Sequence, residues 1–104
     1  MISLRQPHRD RYDIIKNILS IVANTQPIYR SQRHQTSIGY AANLTHPQTV
    51  RFLRELVHEG LLILMDSKPY SYYEITFKGK RCLQLFIELD NDMHSIFNDQ
   101  SALS

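Results

Sequence analysis

Thr45-His46-Pro47-Gln48-Thr49-Val50-Arg51-Phe52-Leu53-Arg54-Glu55-Leu56-Val57-His58-Glu59-Gly60 reads as a helix with both of its ends written into it. Thr45 is an N-cap residue whose hydroxyl can accept a backbone N–H of the first turn, and Gln48 stands three residues on as its capping-box partner. Pro47 falls in the first turn, where the N–H it lacks would have no helical partner anyway. Gly60 supplies the left-handed residue that ends many helices. The spacing therefore predicts a helix over about His46 to Glu59. At about 100° per residue, Val50, Leu53, Leu56 and Val57 share one side, and Gln48, Arg51, Phe52 and Glu55 point away from them.

Upstream of this segment, Asn43-Leu44-Thr45 is a tight turn, and Thr36 to Ala42 forms a short helix with Ile38, Ala41, Ala42 and Leu44 on its buried side. Further back, Asp10 can cap a helix over Arg11 to Asn24, in which Ile14, Ile15, Ile18, Leu19 and Val22 recur at helical spacing. Thr25-Gln26-Pro27 ends it, Ile28-Tyr29 reads as a short strand, and Ser31 to Gln35 as a polar loop. Downstream, the apolar run Leu61 to Met65, the turn Asp66-Ser67-Lys68-Pro69 and the run Tyr72 to Ile75 read as a β-hairpin. Thr76 can cap a long last helix from Phe77 towards Phe97.

Two short helices joined by a tight turn form a helix-turn-helix unit, and a hairpin after the second of them is a wing. The expected fold is α+β but mostly α: a winged helix-turn-helix of three helices and a β-hairpin wing, extended by a long C-terminal helix. The organisation expected is a flexible basic arm over 1–9, the winged-helix domain over 10–77, a C-terminal dimerisation helix over 78–98 and a frayed tail over 99–104.

With 104 residues, 42% hydrophobic and 21% charged, the chain has a globular composition of one-domain size. No apolar run approaches the ~20 residues of a membrane span, and residues 1–11 lack the apolar centre of a signal peptide. The expected location is therefore cytoplasmic, associated with the nucleoid. The single cysteine, Cys82, excludes an internal disulfide, and the five scattered histidines make no metal-ligand pattern. No metal or cofactor is expected. A Gly-rich phosphate loop, a nucleophile motif and a useful carboxylate pair are all missing, which argues against an enzyme.

The formal net charge of +2 hides an uneven distribution. All twelve Lys and Arg lie between Arg5 and Arg81 against six acids, a surplus of six positive charges. From Cys82 to Ser104 there are four acids and no Lys or Arg. A basic body with an acidic tail points to an anionic partner for the body and a different role for the tail.

Double-stranded DNA is the partner this charge and fold suggest. Arg51 and Gln48, near the start of the third helix, are apt for base edges, since Arg forks onto guanine and Gln onto adenine. His46, Thr49 and Phe52 complete the expected face. Phe52 has two open readings, contact with a thymine methyl or packing under the wing, and His46 either meets a phosphate or stays a solvent-exposed capping residue. The whole face also has a plainer reading as an ordinary solvated surface. Lys68 and Tyr70 at the wing, with Arg30 and Arg33 before the second helix, are candidate DNA contacts. Lys78, Lys80 and Arg81 are further candidate contacts to phosphate. In the last helix, Cys82, Phe86, Leu89, Met93 and Ile96 are spaced four, three, four and three residues apart, a heptad seam over about two repeats. Leu83 and Ile87 flank it and can pack on the domain. The seam suits a homodimer; packing within one chain is the alternative.

The chain resembles the small archaeal winged-helix DNA-binding proteins, including those with a long C-terminal coiled-coil helix. The resemblance rests on Asp13-Ile14-Ile15-Lys16-Asn17-Ile18-Leu19, Ala42-Asn43-Leu44-Thr45, Phe52-Leu53 through Glu59-Gly60-Leu61-Leu62, and Tyr73-Glu74-Ile75-Thr76-Phe77-Lys78-Gly79-Lys80. It covers roughly residues 10–95 and departs from the family in a longer polar stretch, Arg30 to Gln35. It implies transcription regulation or chromatin association. The competing reading is a winged-helix module for protein–protein contact without direct DNA binding, which an exposed Phe52 beside Glu55 would favour.

Overall fold

The structure, a computed structural model, describes residues 10–25 and 27–103. The basic arm expected over residues 1–9 lies outside the described residues. In chain order the elements are α1 (Arg11–Asn24), a 3-10 helix (Pro27–Arg33), α2 (Gln35–Ala41), α3 (His46–His58), β1 (Leu62–Met65), β2 (Tyr72–Ile75) and α4 (Phe77–Leu103). This is the expected winged helix-turn-helix with a long C-terminal helix.

The local signals act as their chemistry requires. Asp10 caps α1, its carboxylate accepting the Asp13 N–H at 2.9 Å. At α3 the capping box is closed on both sides: the Gln48 N–H donates to Thr45 Oγ1 at 3.3 Å and the Thr45 N–H donates to Gln48 Oε1 at 3.0 Å. The turn between α2 and α3 is made by Asn43, which takes φ +60, a left-handed value that Asn adopts more readily than most residues. The Leu44 N–H then reaches back to the Gly39 carbonyl at 2.9 Å and the Asn43 N–H to that of Tyr40 at 3.1 Å. The end of α3 repeats this arrangement, with Gly60 at φ +80 and the Leu61 N–H bonded to the Leu56 carbonyl at 2.9 Å.

The strands pair antiparallel, Leu62 opposite Ile75 and Met65 opposite Tyr72, and make a two-stranded wing. Thr76 joins it to α4. Its hydroxyl donates to the Gly60 carbonyl at 2.6 Å and accepts the Gly79 N–H at 3.0 Å. One apolar core holds the elements together: Ile14, Ile15, Ile18, Leu19 and Val22 of α1 meet Ile38, Leu53, Leu56, Leu62, Tyr73 and Leu83. Burial pushes the Tyr73 phenol up from its ordinary pKa. The Lys16 ammonium, ion-paired with Asp90, fastens α4 to α1.

Two expectations about secondary structure change. Ile28-Tyr29 is not a strand, and the loop after it is largely helical, because the 3-10 helix spans Pro27–Arg33 and α2 begins at Gln35. Pro27 fixes a φ suited to a helical turn, and two residues are too few to compete as a strand. The last helix runs to Leu103 rather than ending near Phe97, since the chain after Gly79 holds neither Gly nor Pro to stop it. Among the described residues no helix is long and apolar enough to cross a membrane.

Candidate nucleic-acid interface

Helix α3 turns a different side outward from the one its sequence suggested. Its buried residues are Thr49, Phe52, Leu53 and Leu56, whereas Val57 is exposed and Val50 half-buried. The wheel is rotated towards Phe52. Phe52 is only 6% exposed and belongs to the core, so a contact with a thymine methyl is closed to it. Thr49, 2% exposed, packs on Gly39 of α2, and its hydroxyl donates to the Thr45 carbonyl at 2.8 Å. Both leave the expected DNA-facing set for the same reason: α2 and the core demand shape at these positions, whatever the polarity of the threonine.

Pro47, Arg51, Arg54 and His58, spaced four, three and four residues apart, are all exposed and form one outward stripe. Sequence reasoning misses Arg54 and His58 because it counts Val50 and Val57 with Leu53 and Leu56 on the buried side. The better signal was Phe52, the largest apolar side chain in the helix. Arg51 lies with its guanidinium carbon 5.5 Å from the Phe52 ring centroid and keeps its charged end at the surface. Gln48 has its carbonyl oxygen committed to the capping box, so the two-pronged grip on adenine expected of it would first have to break that cap. His46 is exposed at the helix start.

Glu55, the acid on this helix, does not stand as a free negative charge. Arg11 of α1 grips it with two hydrogen bonds, at 2.9 and 2.7 Å. Those hydrogen bonds, followed by the charges of Arg11 and Arg51, hold the Glu55 carboxyl below the usual carboxylate range despite some desolvation; the same hydrogen bonds and the Glu55 charge raise the Arg11 guanidinium. The basic stripe is thereby relieved of the acid within its own helix.

Of the candidates outside α3, Arg30, Lys68 and Tyr70 are exposed around the wing. Arg33 is not; it is 6% exposed, with its guanidinium carbon 5.5 Å from the Tyr72 ring centroid. The 3-10 helix turns it inward, so it is removed from the set of direct DNA contacts. Lys78 donates to the Glu59 carbonyl at 2.7 Å and caps the end of α3. Lys80 and Arg81 remain exposed on α4.

The heptad seam of α4 divides. Cys82 and Phe86 pack against the chain's own core, Phe86 with its ring 6.4 Å from that of Tyr12. Burial pushes the Cys82 thiol up, while the charge of Lys78 pulls it partly back. Leu83 is buried as expected, whereas Ile87 is exposed. Leu89, Met93 and Ile96 are exposed, and Leu85 continues the same stripe. Among the described residues no group of histidine, cysteine or carboxylate side chains is placed to hold a metal ion.

A helix-turn-helix followed by a hairpin wing is the architecture of a winged helix-turn-helix domain. The chain belongs to the winged helix-turn-helix family, whose pattern matches residues 8–94. Among solved structures it is similar to MepR, a transcription regulator of the Staphylococcus aureus multidrug efflux pump MepA, at 18% identity and a TM-score of 0.70. That match covers 85% of this chain and 64% of MepR, so the chain spans less than two thirds of that protein. It is also similar to MepR in a complex with DNA, at 18% identity and a TM-score of 0.62, covering 83% of this chain and 61% of the other. A third similarity is to Sso10a-2, a DNA-binding protein from Sulfolobus solfataricus, at 26% identity and a TM-score of 0.62, over 91% of this chain and 96% of the other. No curated protein matches the chain.

Proposed function

We propose that this chain is a double-stranded DNA-binding protein, a transcription regulator or nucleoid-associated protein without enzymatic activity, which inserts α3 in the major groove and lays its wing on the backbone. The observation that carries this reading is the exposed stripe Arg51, Arg54 and His58 on α3, beside a Glu55 neutralised by Arg11. Arg at such a surface can meet both base edges and phosphates. The similarities to MepR on DNA and to Sso10a-2 support the same direction. Protein–protein contact through α3 loses its main support, because Phe52 is buried and Glu55 is paired.

The test is fluorescence anisotropy with duplex DNA over a range of salt. If a dimer neutralises about six phosphates, log K falls against log salt with a slope near −5. Affinity that does not change between low and moderate salt would reject DNA as the partner of the basic body.

The chain acts in this reading as a homodimer through Leu85, Leu89, Met93 and Ile96. These four form a continuous apolar stripe that α4 exposes to water, a feature that marks interfaces. Leu89, 58% exposed within the chain, lies in its middle. Sedimentation at micromolar concentration should give about twice the 12.2 kDa chain mass, and Leu89→Glu should return it to one chain mass with the core intact. A wild-type mass of 12.2 kDa would remove the dimer.

A further inference from the structure

Between the 3-10 helix and the wing lies a cleft of about 270 Å³ whose lining includes Arg30, His34, Lys68, Tyr70 and Tyr72. We propose that this cleft is a binding site for a phosphate group. Its described lining carries the cations Arg30 and Lys68 and no carboxylate. The carboxylate that precedes the wing turn, Asp66, accepts a hydrogen bond from Ser71 Oγ at 3.1 Å and does not line the cleft. Among the described residues neither Arg30, Arg33 nor Lys68 has an ion-pair partner.

The positive charge is held in place rather than left to wander. The Arg30 and Arg33 guanidinium carbons lie 5.2 and 5.5 Å from the centroid of the same Tyr72 ring. His34 and Tyr70 bring the two walls together with ring centroids 5.0 Å apart. Arg33 is buried, and its Nε has no hydrogen-bond partner. A buried cation without a counter-charge is unfavourable, and two guanidinium groups against one ring repel each other. Arg33 does not line the cleft, so a phosphate there would meet Arg30 and Lys68 directly and ease the repulsion between the two guanidinium groups, since guanidinium and ammonium groups are its usual partners and bind it through charge-assisted hydrogen bonds. A phosphate can come from the DNA backbone or from a free phosphorylated small molecule. The site does not depend on α3 entering a groove, because inorganic phosphate alone probes it.

The experiment is an NMR titration of the labelled full chain with sodium phosphate, against sodium chloride at equal ionic strength and fixed pH. Saturable shifts confined to residues 30–34 and 67–72 are expected, weakened at least tenfold in the double variant Arg30→Ala/Lys68→Ala. Unchanged α1 resonances in that variant verify its fold. Shifts spread equally over Lys80 and Arg81, shifts that never saturate, or a variant that binds like the wild type would overturn the site. Duplex DNA then separates the sources. If the occupant is a backbone phosphate, duplex abolishes the phosphate-specific shifts, and phosphate weakens duplex binding more than chloride does in the wild type alone. If the phosphate shifts persist at saturating duplex, the site serves a free phosphorylated molecule.

Discussion

Gly79→Ala should destabilise the whole domain by on the order of 3 kcal/mol, the upper end of what overpacking in a close-packed interior usually does. A Cβ at this position would stand 2.1 Å from the Leu61 carbonyl oxygen and 2.7 Å from Ile75 Cγ1. The carbonyl cannot step aside, because it accepts the Thr76 N–H at 3.1 Å and the Thr76 hydroxyl at 3.1 Å. The start of α4 must instead lift off the hairpin, and with it the burial of Leu83 on the core. For a domain of this size the expected fall in Tm is roughly 10–25 °C, read by circular dichroism. Gly60→Ala is the control. It strains a residue at φ +80, which costs about 1–2 kcal/mol, but its Cβ meets nothing closer than Lys78 Cδ at 3.8 Å. If Gly60→Ala proved the more damaging of the two, the close seat of α4 on the hairpin would be wrong.

Arg54→Ala is expected to weaken binding to a preferred duplex about as much as Arg51→Ala, each by ~1–3 kcal/mol if the side chain holds a guanine. This is the sharper test of α3, because the two orientations of that helix disagree about Arg54. Were Phe52 at the surface, Arg54 would lie near the edge of the contact. With Thr49 and Phe52 buried, Arg51 and Arg54 are neighbours on the outward stripe. Both substitutions lie on the exposed side, so thermal stability should stay near that of the wild type while affinity falls. Loss on random and preferred duplex alike would place the two arginines on phosphates; no loss on either would remove α3 from the interface.

The difference between these two readings of α3 shows where the sequence stops being informative. Helix caps are legible because they depend on residues three or four apart. Asp10, the pair Thr45 and Gln48, and Gly60 were therefore sufficient to place the ends of α1 and α3 to within a residue. The hairpin was legible because two apolar runs flank a turn of Asp, Ser, Lys and Pro. The orientation of α3 was not, because an average hydrophobic stripe gave Val57 the same weight as Phe52. The packing surface of α2 decides otherwise: Thr49 fits against Gly39, and Phe52 reaches the core.

The same distinction holds for the two ends of the candidate site. Arg30 and Arg33 look equivalent in the sequence, yet one is exposed and the other is buried against Tyr72, thirty-nine residues further along the chain. Cys82 and Leu89 occupy the same heptad seam, yet the first packs against the core and the second stands in water. By itself, then, the sequence determined the order of the four α-helices and the hairpin, the helix caps, the basic body and the acidic tail, all of which follow from neighbours along the chain or from composition. The tertiary structure alone decided which face of α3 looks outward, which arginines are free and how much of α4 remains uncovered. Each of these depends on surfaces brought together from distant parts of the chain, and burial at a position is set by what packs against it rather than by the residue's own polarity.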